Sequence, residues 1–193
     1  MLLVPRPLRA SDDGAAVDPQ LLARVLTPYK PHCRYLRTAE VRYAGARSIA
    51  VASGTFSIPE SCYIASTGHF NAVEFNICYN QLTYCLLAKC IEDRVLDAFA
   101  GWTLAEFSRR QLSDYLIARF FSAFHKPLTA PIFEGEVDIV QVAVRRDATF
   151  MKTACRFRDH TGGRADGGAT IAIVGGAHLT HDSTSEGWNH HVQ

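Results

Sequence analysis

The spacing of apolar residues changes several times along the chain, and each change predicts an element. Leu21, Leu22, Val25 and Leu26 recur at helical spacing behind Asp18 and Pro19, a cap followed by a first-turn proline. They predict a short helix that stops at Pro28-Tyr29. From Thr38 to Ile58 the period shortens to two, with β-branched and aromatic residues alternating in two stretches around Ala44-Gly45-Ala46, the pattern of a hairpin. The stretch from Asn71 to about residue 92 lacks Gly and Pro and predicts a helix. Val73, Ile77, Tyr84 and Ala88, together with Phe75, Cys78, Leu82, Cys85 and Leu86, cover most of its circumference, so it needs wrapping by a sheet or a partner. A second helix is expected from Thr103 to Leu116, with Thr103 and Glu106 at capping-box spacing and enough polar residues to lie outside.

Beyond it, residues 117–130, 133–147, 149–159 and 168–178 read as successive strands. Turns are expected at Thr129–Pro131, Arg146–Ala148 and Thr161–Gly168, with pairing as a meander, and Gly162-Gly163 and Gly167-Gly168 read as turn residues. Hairpin, buried helix, outer helix and then consecutive strands make an α+β chain in which an antiparallel sheet wraps one long helix. The expected organisation is a loose leader over 1–18, one domain over 19–179 and a polar, His-rich flexible tail over 180–193.

Composition narrows the function classes. The chain has 193 residues, 20 Lys plus Arg against 19 Asp plus Glu, and a formal net charge of +1. At 48% hydrophobic and 20% charged it can bury a sizeable core, and it lacks the basic footprint of a nucleic-acid binder. No apolar run approaches the roughly 18 residues that span a bilayer. Pro5 and Pro7 break the opening before a signal-peptide core could form, so a cytoplasmic protein without membrane attachment is expected. The 6 cysteines form no CxxC pair and read as reduced thiols. Cys62 adjoins the segment discussed next, but nothing local would activate it. No GxGxxG, GxxxxGK[ST], GxSxG or HExxH occurs, and the 8 histidines do not fall at metal-ligand spacing with the cysteines, so neither cofactor nor metal is expected.

The candidate chemistry lies in SCYIASTGHFNAVEFNICYNQ, residues 61–81. A loop carrying Tyr63, Ser66, Thr67, Gly68 and His69 runs directly into the start of the buried helix. Backbone N–H groups and the helix dipole there favour a carboxylate or a polarised carbonyl, and a histidine beside them titrates near neutrality as a general base. Asn76, Asn80 and Gln81 are amides in an apolar wall, able to face a ligand or to bond surrounding strands. Asn71 and Glu74 stand at cap and N3 spacing, so Glu74 reads as a helix cap with a catalytic carboxylate as the alternative. Tyr29 and Tyr63 read as core aromatics with hydroxyls at the surface, or as site residues.

The run from Tyr63 to Glu74, followed by Tyr79-Asn80-Gln81-Leu82, resembles the signature of the actinobacterial type III fatty-acyl-CoA thioesterases. Leu21 to Tyr29, Gly101-Trp102 and Lys126-Pro127-Leu128 extend the likeness over about residues 20 to 175. The resemblance implies a hot-dog fold and members that lack the active-site acid of ordinary hot-dog thioesterases. It also implies addition of the amine of glycine to C3 of a 2-enoyl thioester on an acyl carrier protein, in secondary-metabolite pathways to isonitrile lipopeptides or β-amino-acid starter units, with thioester hydrolysis following in some members. Carried over by position, the loop from Tyr63 to Asn71, including Ser66, Thr67, Gly68 and Phe70, would hold the glycine carboxylate. His69 would act through a water in amine deprotonation and thioester attack. Tyr29, Asn71 and Asn80 are the candidates for orienting that water or the carbonyl. Sites between subunits are implied, hence a homodimer or a dimer of dimers. Arg34, Arg119, Lys126, Arg145 and Arg146 could meet a pantetheine phosphate or an acidic carrier protein, but solvated surface charge is the default reading and they are left out of the site.

Three readings follow. The first is glycine addition to an enoyl thioester carried by acyl carrier protein or CoA, with subsequent hydrolysis. The second is a plain long-chain fatty acyl-CoA thioesterase using the same residues. The third is a non-catalytic acyl-binding module.

Overall fold

The computed structural model describes residues 14–43, 48–65, 68–129, 131–145 and 148–174. Seven antiparallel strands form one sheet in the order β1-β2-β3-β5-β6-β7-β4. They are β1 (Ala15–Ala16), β2 (Leu36–Tyr43), β3 (Ala50–Ser57), β4 (Tyr115–Lys126), β5 (Ile132–Val144), β6 (Ala148–Arg158) and β7 (Arg164–Val174). Among the described residues three α-helices accompany them: α1 (Pro19–Leu26), α2 (Ala72–Glu92) and α3 (Leu104–Arg110). No helix among the described residues is long and apolar enough to cross a membrane.

The first half matches its sequence pattern. Asp18 caps α1 by accepting from Gln20 N at 2.6 Å, with Pro19 in the first turn. β2 and β3 pair antiparallel as the expected hairpin; its expected turn, Ala44-Gly45-Ala46, lies outside the described residues. α2 starts at the Asn71 cap and is enclosed as its all-round apolar surface requires, with Phe75, Cys78, Leu82, Cys85 and Leu86 at 0% exposure. A single antiparallel sheet curled around one long helix is the hot-dog arrangement. Gln81 ties helix to sheet: its Oε1 accepts from Tyr35 N and Leu36 N, both at 2.9 Å, and its Nε2 donates to Cys33 O at 2.6 Å. Three buried backbone groups ahead of and within β2 are thereby satisfied by one side chain. This answers one of the open amides: Gln81 is structural.

Three expectations require correction. The helix predicted to reach Leu116 ends at Arg110, and Tyr115 already begins β4. Gln111 is pulled inward to donate to Val25 O at 3.0 Å, and the buried Tyr115 ring packs edge-on against Trp102, Phe107 and Tyr84. That packing overrides a helical propensity the segment does possess. Second, only β5, β6 and β7 form a meander, because β4 pairs with β7 and the place beside β5 is taken by β3. The connection after β4 is bracketed by Pro127 and Pro131, which have no N–H for a ladder, and it crosses the end of the sheet instead of turning back. Third, Gly167 and Gly168 lie inside β7, opposite Ser122 and Phe121 of β4. A Cβ on Gly167 would sit 2.3 Å from Phe121 O and 2.9 Å from Phe75 Cζ, so glycine is needed there for close approach to β4 and α2 and not for a turn.

Candidate active site

The site is built where the loop from Ser61 to Phe70 enters α2. Asn71 closes the helix start through a reciprocal capping box: its Oδ1 accepts from Val73 N at 2.9 Å and Glu74 N at 3.3 Å. Glu74 Oε2 in turn accepts from Asn71 N at 3.4 Å and from Asn71 Nδ2 at 3.1 Å. Two of the first-turn N–H groups that could have faced a ligand are therefore engaged by the cap itself, and both ends of the Asn71 amide are occupied. Just before the cap, Phe70 is buried in an aromatic cluster with Phe75, Phe124, Phe133 and Phe157. Its N–H donates to Leu128 O at 3.1 Å, which fastens the loop to the crossing segment behind β4. Asp159 fixes that segment from the other side, accepting from Thr129 N at 2.9 Å while its second oxygen accepts from Thr161 and Gly163. Gly68 has φ +71°, a left-handed conformation that orients the chain just ahead of His69.

This scaffolding leaves a cavity of about 300 Å³ whose wall includes Ser61, Gly68, His69, Phe70, Glu74 and Phe133. A second cavity, of about 340 Å³, is formed by His69 to Ala72 against Phe124 to Pro127 of β4 and its end. His69 is exposed and borders both. Beside the second, His125 Nε2 lies 2.6 Å from Asp166 Oδ2, and Lys126 donates to Thr161 O at 2.9 Å.

Of the residues expected in the site, the structure gathers Gly68, His69, Phe70 and Asn71 at these cavities. Tyr63 is 51% exposed on the loop and borders neither cavity. Ser66 and Thr67 lie outside the described residues. Tyr29 and Asn80 also border neither cavity. Tyr29 is half-buried beside Tyr84 and Cys78 of α2, and burial, reinforced by those neighbours, pushes its phenol well above the ordinary tyrosine range. Asn80 donates to Asn76 Oδ1 at 3.4 Å on a stripe of α2, with Val73, Ile77 and Tyr84, that the sheet leaves partly open. Cys62 is half-buried beside Cys33, whose thiol is pushed up by burial first and then by Cys62.

Sequence reasoning missed the far wall. Leu128, Thr129, Pro131 and Phe133 are about 60 residues from His69 in sequence and meet it only because the crossing segment covers the start of α2. Glu74 was legible as a cap, but its placement in the cavity wall was not.

A family model described as the FcoT-like thioesterase domain matches residues 24–173. The chain belongs to the FcoT-like thioesterase family. It is 47% identical over 162 residues to a Streptomyces coeruleorubidus protein named (2E)-enoyl-[ACP] glycyltransferase, covering 81% of this chain and 97% of that one. A Mycobacterium tuberculosis protein of the same name is 38% identical over 169 residues, covering 86% of this chain and 91% of its own. Among solved structures it is similar to a phenylacetic acid degradation-related protein from Ralstonia eutropha, at 10% identity and a TM-score of 0.44, covering 70% of this chain and 84% of that one. Within the FcoT-like family, then, this chain has its cap, glycine bend and histidine around two cavities that share His69 and Phe70.

Proposed function

We propose that this enzyme adds the amine of glycine to the β-carbon of a 2-enoyl thioester carried by an acyl carrier protein or CoA. The product is an N-carboxymethyl-3-aminoacyl thioester, which the same site then hydrolyses, as a step of secondary-metabolite biosynthesis. The observation that carries this reading is the 47% identity, over 81% of this chain and 97% of the relative, to a protein named for glycyl transfer to an enoyl-ACP. The geometry supports it: a histidine borders a cavity of about 300 Å³ at the start of the enclosed helix.

In the addition, the glycine ammonium gives a proton to His69 through a water, and the freed nitrogen lone pair bonds to the β-carbon. The π pair of the enoyl double bond moves towards the thioester carbonyl as an enolate. That enolate collapses by taking a proton at the α-carbon, so glycine and enoyl thioester sum to the product. In hydrolysis the same histidine draws a proton from the attacking water, and the thiol leaves with a proton. Donors aimed at the thioester oxygen stabilise enolate and tetrahedral oxyanion alike. The loop from Tyr63 to Asn71, including Ser66, Thr67, Gly68 and Phe70, is assigned to the glycine carboxylate.

Tyr29 and Asn80 are assigned to orienting the water or carbonyl in a site completed by a second subunit. The domain is taken to run from 19 to 179, with Ala15–Ala16 ahead of it adding a short edge strand beside β2. β4 favours a homodimer: it ends the sheet, and Leu116, Ile117, Phe121 and Phe124 along it are exposed. The family description also favours a second reading, a plain acyl thioesterase.

Mass spectrometry of a 2-enoyl thioester incubated with the enzyme, with and without glycine, separates these readings. The expected result is a mass increase of one glycine, on the thioester or on the released acid. Free enoic acid irrespective of glycine makes this an ordinary thioesterase, and unchanged substrate makes it an acyl-binding module. His69→Ala should lower both product fluxes by about 10²- to 10⁴-fold while the circular dichroism spectrum stays the same.

A further inference from the structure

We infer that Glu74 is the amine-binding residue of this site, its carboxylate receiving the ammonium group of the incoming amino acid. This rests on the glycine-adding reading above and specifies its second substrate as a zwitterion held at both ends. Two acids border the cavity of about 300 Å³, Glu60 and Glu74. Glu60 is exposed, where solvent and salt weaken its pull. Glu74 is 3% exposed and lines the same space as His69. Among the described residues no Lys or Arg forms an ion pair with it; its partner is the neutral N–H pair of Asn71.

A buried carboxylate without a full cation is costly; the start of α2 offers Glu74 only partial positive charge, and a neutral glutamine closes the same capping box. A ligand ammonium supplies the missing positive charge where the adjacent histidine can collect the proton. Ser61 stands in the same wall, and its Oγ is buried without a hydrogen-bond partner among the described residues. Glu74 takes no part in bond making; it localises the amine within reach of the β-carbon.

The test is Glu74→Gln, which keeps the volume and the capping box and removes the charge. Loss of a hydrogen bond to a charged group predicts a KM for glycine raised about tenfold to a hundredfold. The thermal midpoint and circular dichroism spectrum should match those of wild type, and Glu74→Asp, which keeps the charge on a shorter arm, should have a KM for glycine between the two. A Glu74→Gln enzyme with the wild-type KM for glycine overturns the assignment while leaving glycine addition standing. A wild-type enzyme that forms no glycine adduct overturns both. Should Glu74→Gln not fold, competition decides on the wild type: N-acetylglycine keeps the carboxylate but lacks the ammonium and is expected not to inhibit. Inhibition by it at glycine-like concentrations overturns the role.

Discussion

Gly167 has no side chain because three neighbours already occupy the space. Phe121 O, Phe75 Cζ and Ser122 Cα would lie 2.3, 2.9 and 3.1 Å from a Cβ there. Two of these atoms are backbone of the adjoining strand and cannot rotate away. Gly167→Ala should therefore destabilise the fold by about 1–3 kcal/mol, measured as a lower urea midpoint with an unchanged slope. An unchanged midpoint would show that β4 yields more readily than its pairing suggests. At this scale the sequence was least legible. Neighbouring glycines before an apolar run look like a turn, and the need for close approach exists only once β4 lies alongside. The amides behave in the same way. Asn80 and Gln81 are adjacent and chemically alike, yet a rotation of about 100° along a helix turns one towards the β2 backbone and the other onto the partly open stripe.

α2 is the element the chain specifies most strongly, through its capping box, its lack of Gly and Pro and its apolar circumference. Each of those signals is local, so each survives in the folded protein. β4 is the opposite case. Its residues alternate poorly, and a register shift between Ile117 and Arg119 leaves Leu116 and Ile117 both exposed. An edge with Phe121 at 60% exposure suits a strand that gains a partner only when a second chain arrives. If β4 forms the homodimer contact, Phe121→Lys should convert the dimer to monomer in analytical ultracentrifugation while retaining the circular dichroism spectrum. Activity should fall with it, because Tyr29 and Asn80 are assigned to a site completed between subunits. A Phe121→Lys protein that remains dimeric would remove β4 from the interface.

Across the whole molecule, the enclosed thiols and phenols set the alkaline limit of stability. Burial pushes the Cys85 and Cys155 thiols up to about 12 from 9.0. Burial likewise raises the phenols of Tyr79 and Tyr115. Once the pH passes about 9, the unfolded chain releases thiol protons that the folded chain retains, so stability must fall as pH rises. Each such thiol steepens the loss by up to about 1.4 kcal/mol per pH unit until its folded value is reached. Urea midpoints measured under reductant should be flat from pH 7 to about 8.5 and then decline towards pH 11. A flat profile to pH 11 would mean that these groups reach solvent. The sequence by itself determined the hairpin, the enclosed helix, the free thiols and the loop that carries His69, because each depends on periodicity, capping or composition within a short stretch. Only the tertiary structure decided that β4 lies beside β7, that Gln81 holds the start of β2, and that Glu74 shares a cavity with His69. Those relations arise where the crossing segment, sheet and helix meet, and contacts between residues far apart in the chain leave no local period to read.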